Sequence, residues 1–429
     1  MSKTRFYETV TACDECDHLH VIPPLKSGER FKCGRCQHVV LSVHEHVEGR
    51  ILGTVFSALL MLSLALVFPF LGFSSRGVER SSTLLGSVDV LIGQDYLILG
   101  SIVCLALFIF PAIYLFSLLV LFWSFKHPDI SLNARRHLTR WVVAIQPWLM
   151  VDVFLVGALV ALVKMRSLAD IELGLSFWAF CGYVVLLIRT VTLVDRRWLW
   201  NKMSGAAPNH VIEDKQHPDE LKTAKLHSLI GCHFCGAVSP NSHSHCSRCG
   251  HSIHSRRPHS LTASIAFLIA AVIMFVPANV FPIMQTTFLG GSEPSTIMGG
   301  VFLLWSLGSY PVALVIFLAS VVIPLTKILS LSWLCWQCYY PTEHDILKKV
   351  WLYRVTEVIG RWSMIDVFVV ALLAGVVQMG NLISILPGQA VLSFAAVVIL
   401  TMLSAVMFDP RLLWDKEDEI MQASKGDDK

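Results

Sequence analysis

Eight segments of this chain are apolar enough and long enough to cross a lipid bilayer, and nothing else in the sequence restricts the fold so severely. They cover roughly 51–73, 95–125, 141–163, 173–194, 261–281, 301–334, 362–379 and 390–408. About 20 residues at 1.5 Å rise span a hydrocarbon core of about 30 Å. No water is available there, so each segment must satisfy its own backbone N–H and C=O groups, which points to helices. Charged residues make up 15% of the chain, against about 25% in soluble domains. The expected class is an all-α polytopic membrane protein. The net charge of +3 gives no argument for a nucleic-acid partner. The second and sixth segments are over-long, and Pro111 and Pro324 are candidate kinks in them. About 50 mostly polar residues precede the first segment, so a cleaved leader is not expected.

Lysine and arginine set the orientation. With the N-terminus inside, the segments 1–50, 126–140, 195–260, 339–361 and 409–429 hold 28 of the 34 Lys and Arg residues. The outside loops hold Arg76, Arg80, Lys164 and Arg166. Both termini and the central polar segment are therefore expected in the cytoplasm.

The chain is also written twice. An offset of 213 carries Cys33 and Cys36 onto Cys246 and Cys249, Pro69 onto Pro282, Pro111 onto Pro324 and Trp123 onto Trp336. An offset of 214 carries Trp148, Asp152 and Phe154 onto Trp362, Asp366 and Phe368, and Asp195, Arg197 and Trp200 onto Asp409, Arg411 and Trp414. Each unit reads as a small cytoplasmic cysteine module followed by four membrane helices. Four is even, so the two units enter the membrane in the same direction as a parallel tandem repeat. The expected domains are a first module over 1–50, four helices over 51–200, a polar linker over 201–228, a second module over 229–260, four helices over 261–414 and a tail over 415–429.

Cys13, Cys16, Cys33 and Cys36 form one pair of CxxC knuckles, and Cys232, Cys235, Cys246 and Cys249 form another. Such spacing presents four thiolates tetrahedrally, which suits a structural Zn²⁺ in a zinc ribbon. Iron in a rubredoxin-like site or an Fe–S cluster is the competing occupant. Redox-active thiols are a further alternative, but the βαβ context of a thioredoxin-like CxxC is missing. Gly34 and Gly250 suit the tight knuckle turns. His38 and His251 occupy matching places and read either as groups supporting the metal ligands or as solvent-facing side chains. Cys104, Cys181, Cys335 and Cys338 read as packing residues. His44 to His46 read as an interfacial polar cluster.

Ionisable groups inside spans are costly and usually face a bundle interior or a cavity. The candidates are Asp152, Asp366, Lys327 and Arg189, with Ser320, Thr326, Ser330, Ser363 and Thr401 as hydroxyls for a polar pocket. Counting residues from the expected span ends puts Asp366 and Lys327 in the inner leaflet, where an ion pair between them is geometrically open. Tyr114 stands where Lys327 would fall in the first unit, so Arg189 is the candidate counter-charge for Asp152. Helix capping by Asp and snorkelling by Lys are the purely structural alternatives.

Phosphate-loop, GxSxG and HExxH motifs are absent, which leaves an enzyme reading little to stand on. The paired CxxC modules, "VDRRWLW" at Val194, "VPANVFPIM" at Val276, "GSYPVALVIFLAS" at Gly308, "GRWSMIDVFVV" at Gly360 and "FDPRLLW" at Phe408 resemble the paraquat-inducible protein A family (PqiA and its relative LetA). The resemblance covers essentially the whole chain and is closer to the PqiA branch. It implies an inner-membrane protein of a Gram-negative envelope, partnered by a periplasmic MCE-domain protein and through it by an outer-membrane lipoprotein. It also implies phospholipid transport between the membranes, with a second-half polar cluster that lands on Ser320, Lys327, Ser363, Asp366 and Thr401. A membrane redox or stress sensor working through cytoplasmic thiols, and a passive anchor for the periplasmic partner, are the alternatives.

Overall fold

The computed structural model describes residues 9–23, 25–43, 47–75, 78–94, 96–127, 129–165, 170–204, 223–288, 291–306, 308, 310–340, 345–376 and 383–416. Arg76, Arg166, His44 to His46, most of the expected linker and nearly all of the tail lie outside them, as do the side chains of Arg80 and Lys164.

The chain opens with two antiparallel hairpins, β1 (Thr9–Ala12) with β2 (Leu19–Ile22) and β3 (Arg30–Lys32) with β4 (Val39–Ser42). The first membrane half follows. Helix α1 (Val47–Val67) leads into the hairpin β5 (Leu71–Ser75) and β6 (Val78–Ser82), then the short helix α2 (Leu84–Gly93). Helix α3 (Leu97–Cys104) runs through a π-turn at Leu105–Ile109 into α4 (Phe110–Lys126). Next come α5 (Leu132–Ile145), α6 (Val151–Met165), β7 (Asp170–Leu173), α7 (Leu175–Leu193) and α8 (Arg196–Ser204). A second cysteine module carries β8 (Leu229–Gly231) and β9 (Val238–Pro240).

The second half has the same order of elements. Helix α9 (Ser260–Val280) precedes β10 (Met284–Phe288), β11 (Gly291–Ser295) and α10 (Ile297–Ser306). Helix α11 (Tyr310–Phe317) passes through a π-turn at Leu318–Val322 into α12 (Ile323–Tyr339). Helices α13 (Ile346–Trp362) and α14 (Ile365–Val376), strand β12 (Ile383–Pro387) and helix α15 (Ala390–Met407) complete it. Each π-turn ends just before a helix whose second residue is Pro111 or Pro324. A proline ring inside a helix clashes with the carbonyl of residue i−4, and the wider π-turn relieves the clash.

Among the described residues eight helices are long and apolar enough to cross a membrane, the number expected, but three boundaries move. The sixth begins with α11 at Tyr310 rather than near 301, because α10 is a separate short helix. The third and seventh begin at Leu132 and Ile346, so the charged stretches expected as loops are helical extensions of their spans. Each extension is interrupted once, at 146–150 and at Ser363–Met364.

The molecule is mostly helical rather than all-α. Each half carries a three-stranded antiparallel sheet at one end, ordered β6-β5-β7 and β11-β10-β12. Chain leaving a helix loses its i→i−4 partners, and a short ladder restores them. Two glycines make the join. A Cβ on Gly174 would lie 2.0 Å from the Pro69 carbonyl oxygen, and one on Gly388 would lie 2.1 Å from that of Pro282. The neighbouring Ser176 and Ala390 amides donate to these same two carbonyls.

At the centre, α6 crosses α14. The rings of Phe154 and Phe368 meet edge to face with centroids 5.5 Å apart, and these are the same position of the two halves. Gly157 brings the helices close, its Cα side facing Ile365 O and Phe368 Cβ. The halves then diverge. Helix α2 packs on α3 as α10 packs on α11, but α2 also packs on α14 of the second half, with Ser87 seated against Gly375.

The two cysteine modules sit together at the end opposite the sheets, and they are crossed. The first packs on the second half, against Leu334 and Cys338 of α12, Val350 and Tyr353 of α13, and Phe408 and Trp414. The second packs on the first half, against Phe125, Trp200 and Met203. Trp200 and Trp414 are matching positions, each buried under the other unit's module. Between the modules, Ala12, Leu19, Ala224 and Val238 form a small core of their own.

Candidate metal centres and intramembrane polar site

In each module four buried cysteine sulfurs lie within 4.8 Å of one another. The shortest separations are 3.5 Å for Cys13–Cys36 and Cys16–Cys33, 3.4 Å for Cys232–Cys249 and 3.5 Å for Cys235–Cys246. A tetrahedral ion with metal–sulfur bonds of about 2.3 Å needs sulfurs roughly 3.8 Å apart, so the donor sets fit one ion each. The backbone explains why. In all four knuckles the first cysteine amide donates to the carbonyl five residues on, and the residue after the second cysteine turns back to bond the first. That residue has positive φ: Asp17 (60°), Gln37 (61°), Gly236 (69°) and Gly250 (70°). Gly250 is where the sequence reading placed a turn glycine; Gly34 is not, because Gln37 takes the left-handed position.

Surrounding groups lock the modules in place. His20 Nε2 lies 3.1 Å from Cys33 Sγ, a support to the thiolate that the sequence reading missed because His20 has no counterpart in the second module. His38 bonds Glu15 at 2.9 Å, and Arg354 of α13 bridges Glu15 and the Cys36 carbonyl. His251 packs its ring on Phe234. Burial opposes charge on Asp14, but Arg196 and Arg197 outweigh it and hold the carboxyl below the usual range. Burial, with Arg257 next in weight, pushes the His233 imidazole down to about 4, so it stays neutral and accepts from the Arg257 guanidinium. Cys335 and Cys338 are buried beneath the first module, and Cys104 and Cys181 are half-buried.

Within the membrane body, Lys327 is almost wholly buried, at 2% exposure. Its ammonium donates to Thr401 Oγ1 at 2.7 Å and to Gly360 O at 3.4 Å. Its partners are thus a hydroxyl and a helix-end carbonyl rather than the Asp366 carboxylate. Gly360 makes the approach possible, since a Cβ there would meet the lysine tip at 3.4–3.5 Å. Asp366 stands in the first turn of α14, just past the Ser363–Met364 break. Together with Ser320 it lines a cavity of about 40 Å³ that extends past Leu304 to Met284 and Ser295 of the sheet.

The depths expected from sequence therefore change. Lys327 lies twelve residues before Tyr339, the module-side end of α12, about 18 Å along the helix at 1.5 Å per residue. Asp366 is twelve residues past Arg354, which touches the first module, or about 18 Å along the helix. Both move from the module-side boundary towards the middle. Ser320, Ser363 and Thr401 are buried beside them, while Thr326 faces outward. Asp152 is half-buried, and Arg189, the candidate counter-charge, is exposed. In the first half the positions matching Ser320, Lys327, Ser363 and Thr401 are Leu107, Tyr114, Leu149 and Leu187, all buried. Of the polar set only the aspartate is present twice.

A family model described as paraquat-inducible protein A matches residues 49–204 and again 261–418. The chain belongs to the paraquat-inducible protein A family. It is 39% identical over 407 residues to intermembrane transport protein PqiA of Escherichia coli strain K12, covering 95% of this chain and 96% of the relative. It is 29% identical over 406 residues to lipophilic envelope-spanning tunnel protein A of the same strain, covering 95% and 91%. A probable intermembrane transport protein of Haemophilus influenzae is 27% identical over 411 residues, covering 94% and 95%. No solved structure matches. The two family segments begin at α1 and α9, so both cysteine modules fall outside them.

Proposed function

We propose that this protein is the membrane subunit of an intermembrane lipid transport system. It lies in the inner membrane of a Gram-negative envelope, with both termini and both cysteine modules in the cytoplasm and the three-stranded sheets on the periplasmic side. It is built as two parallel units of four spans, each preceded by a zinc ribbon, with one structural Zn²⁺ held by Cys13, Cys16, Cys33 and Cys36 and another by Cys232, Cys235, Cys246 and Cys249. A periplasmic MCE-domain protein receives or delivers phospholipid at the sheet end and connects to an outer-membrane lipoprotein.

One observation carries this reading: four of the five polar groups are found only in the second half. Lys327, Thr401, Ser363, Ser320 and Asp366 are buried there among apolar helices, whereas Leu and Tyr replace the first four in the first half. Buried ionisable groups in a membrane body are expensive and are kept for function. The cavity beside Asp366 runs towards the sheets, the side on which a periplasmic partner would dock. Asp366 is the protonatable group through which a proton gradient would act. The test is transfer of labelled phospholipid from proteoliposomes to the MCE partner, with and without an imposed pH gradient. Loss of transfer in Asp366→Asn and Lys327→Met, with the complex still assembled, supports the reading. Full transfer in both variants would reduce the protein to an anchor, and gradient-independent rates would remove the proton from the mechanism.

A further inference from the structure

The second cysteine module does not lie flush on the membrane body. Between it and the ends of α9 and α15 is a cavity of about 340 Å³, which shares no lining residue with the cavity beside Asp366. That volume is at the lower end of the range of roughly 300–1,000 Å³ for small-molecule sites. Its walls are of two kinds. His233, His254, Arg257 and Arg411 give it polar and cationic groups, while Phe234, Ala263 and Met407 give it an apolar side.

The charges do not cancel. Arg411 is neutralised by Asp409, with two guanidinium bonds of 2.9 and 2.8 Å to its carboxylate. The guanidinium of half-buried Arg257 instead meets the Val406 carbonyl and His233 Nε2 rather than a carboxylate. Asp409 takes only the backbone N–H of Arg257, at 3.3 Å. Among the described residues no ion pair compensates the Arg257 charge. Ser260, the first residue of the 21-residue helix α9, lines the same cavity, and the positive end of the helix adds to the field.

We infer that this cavity binds the phosphate group of an anionic phospholipid from the leaflet on the module side. Arg257 takes the phosphate by charge-assisted hydrogen bonds. The acyl side leaves along Ala263 and Met407, where α9 enters and α15 leaves the apolar zone. Basic pockets beside helix ends are the general solution for such headgroups. A free phosphate would use the cation and the helix end but has no use for the apolar wall, which is why a lipid is the assigned source. The site stands apart from the proposed transport site and does not require that the protein move lipids.

The test uses the full chain in detergent and reads retained lipid by native mass spectrometry after exposure to equal phosphatidylglycerol and phosphatidylcholine. Wild type should retain phosphatidylglycerol preferentially. Arg257→Gln should lower that retention about tenfold, the loss of one charge-assisted contact. Ala263→Trp, which fills the cavity and leaves every charge in place, should lower it as well, with an unchanged melting profile. Equal retention of the two lipids by wild type, or undiminished retention in Ala263→Trp, overturns the inference. A second arm adds inorganic phosphate alone. If it stabilises wild type but not Arg257→Gln while phosphatidylglycerol is not retained, the occupant is a free phosphate and the lipid assignment is wrong.

Discussion

Replacing Lys327 by methionine should make the protein more stable and inactive at once. The lysine is fully enclosed, and its ammonium is held by one hydroxyl and one long contact to a carbonyl. Burying an ion costs several kcal/mol after relaxation. Hydrogen bonds to a charged group return about 1.5–3 kcal/mol each, and less for the 3.4 Å contact. Methionine fills nearly the same volume without charge. Removing the lysine also orphans no donor, because the Thr401 hydroxyl still donates to the Val398 carbonyl at 3.0 Å. The expected gain is about 1–3 kcal/mol, within the range seen when buried ions give way to apolar residues. It should appear as a melting midpoint raised by a few degrees in detergent, alongside loss of lipid transfer in proteoliposomes. A variant that melts earlier than wild type yet transports normally would refute the reasoning on both counts, since the lysine would then be a structural strut.

Gly388→Ala should be among the most damaging single-methyl changes, because its Cβ would sit 2.1 Å from the Pro282 carbonyl oxygen; the loss of about 3 kcal/mol or more would register as poor membrane yield, and Gly174→Ala should behave alike. Cys246→Ser should remove one of two equivalents of tightly bound metal, read by elemental analysis, and loosen the first membrane half, read by proteolysis near Trp200. Asp409 provides an acid limit. Burial opposes its charge, but the Arg411 bonds outweigh this and depress its pKa. Its contribution is therefore complete above the unfolded value of about 4 and is lost as pH falls through the lower folded value. Asp409→Asn should flatten the acid side of a melting-temperature profile.

Much of the architecture was legible because a bilayer enforces simple rules. Length and apolarity located all eight spans, and the doubled motifs lined up the elements of the two halves. The four-cysteine clusters followed from spacing alone, since a CxxC knuckle is a local turn whose geometry the sequence dictates. The sheets were hidden because "GFSSRGVERSS" at Gly72 lacks sustained alternation and has Val78 as its one β-branched residue; the pairing of β5 with β7, which sets Leu71 opposite Leu173, is what makes it a strand. The depths of Lys327 and Asp366 were misjudged for a related reason. α13 carries Lys348, Lys349, Arg354 and Arg361, and charge density reads as loop until a partner such as Glu15 is seen to take one of them. The polar set itself was recognisable residue by residue, but its bonding was not. Which acceptor a buried ammonium selects depends on where a glycine lets it approach, and Gly360 directs Lys327 away from the aspartate.

The crossing of the two cysteine modules also orders assembly in time. During synthesis the first module leaves the ribosome before α1, yet its docking surface includes Tyr353 of α13, and Phe408 and Trp414 beyond α15. It must wait undocked until α15 is inserted. The second module emerges when Phe125, Trp200 and Met203 are already available, so it docks at once. A truncated product would therefore display the first module loose and its apolar underside bare, a signal that quality-control proteases recognise. Closure of that one contact reports that α13 and α15 have both been made.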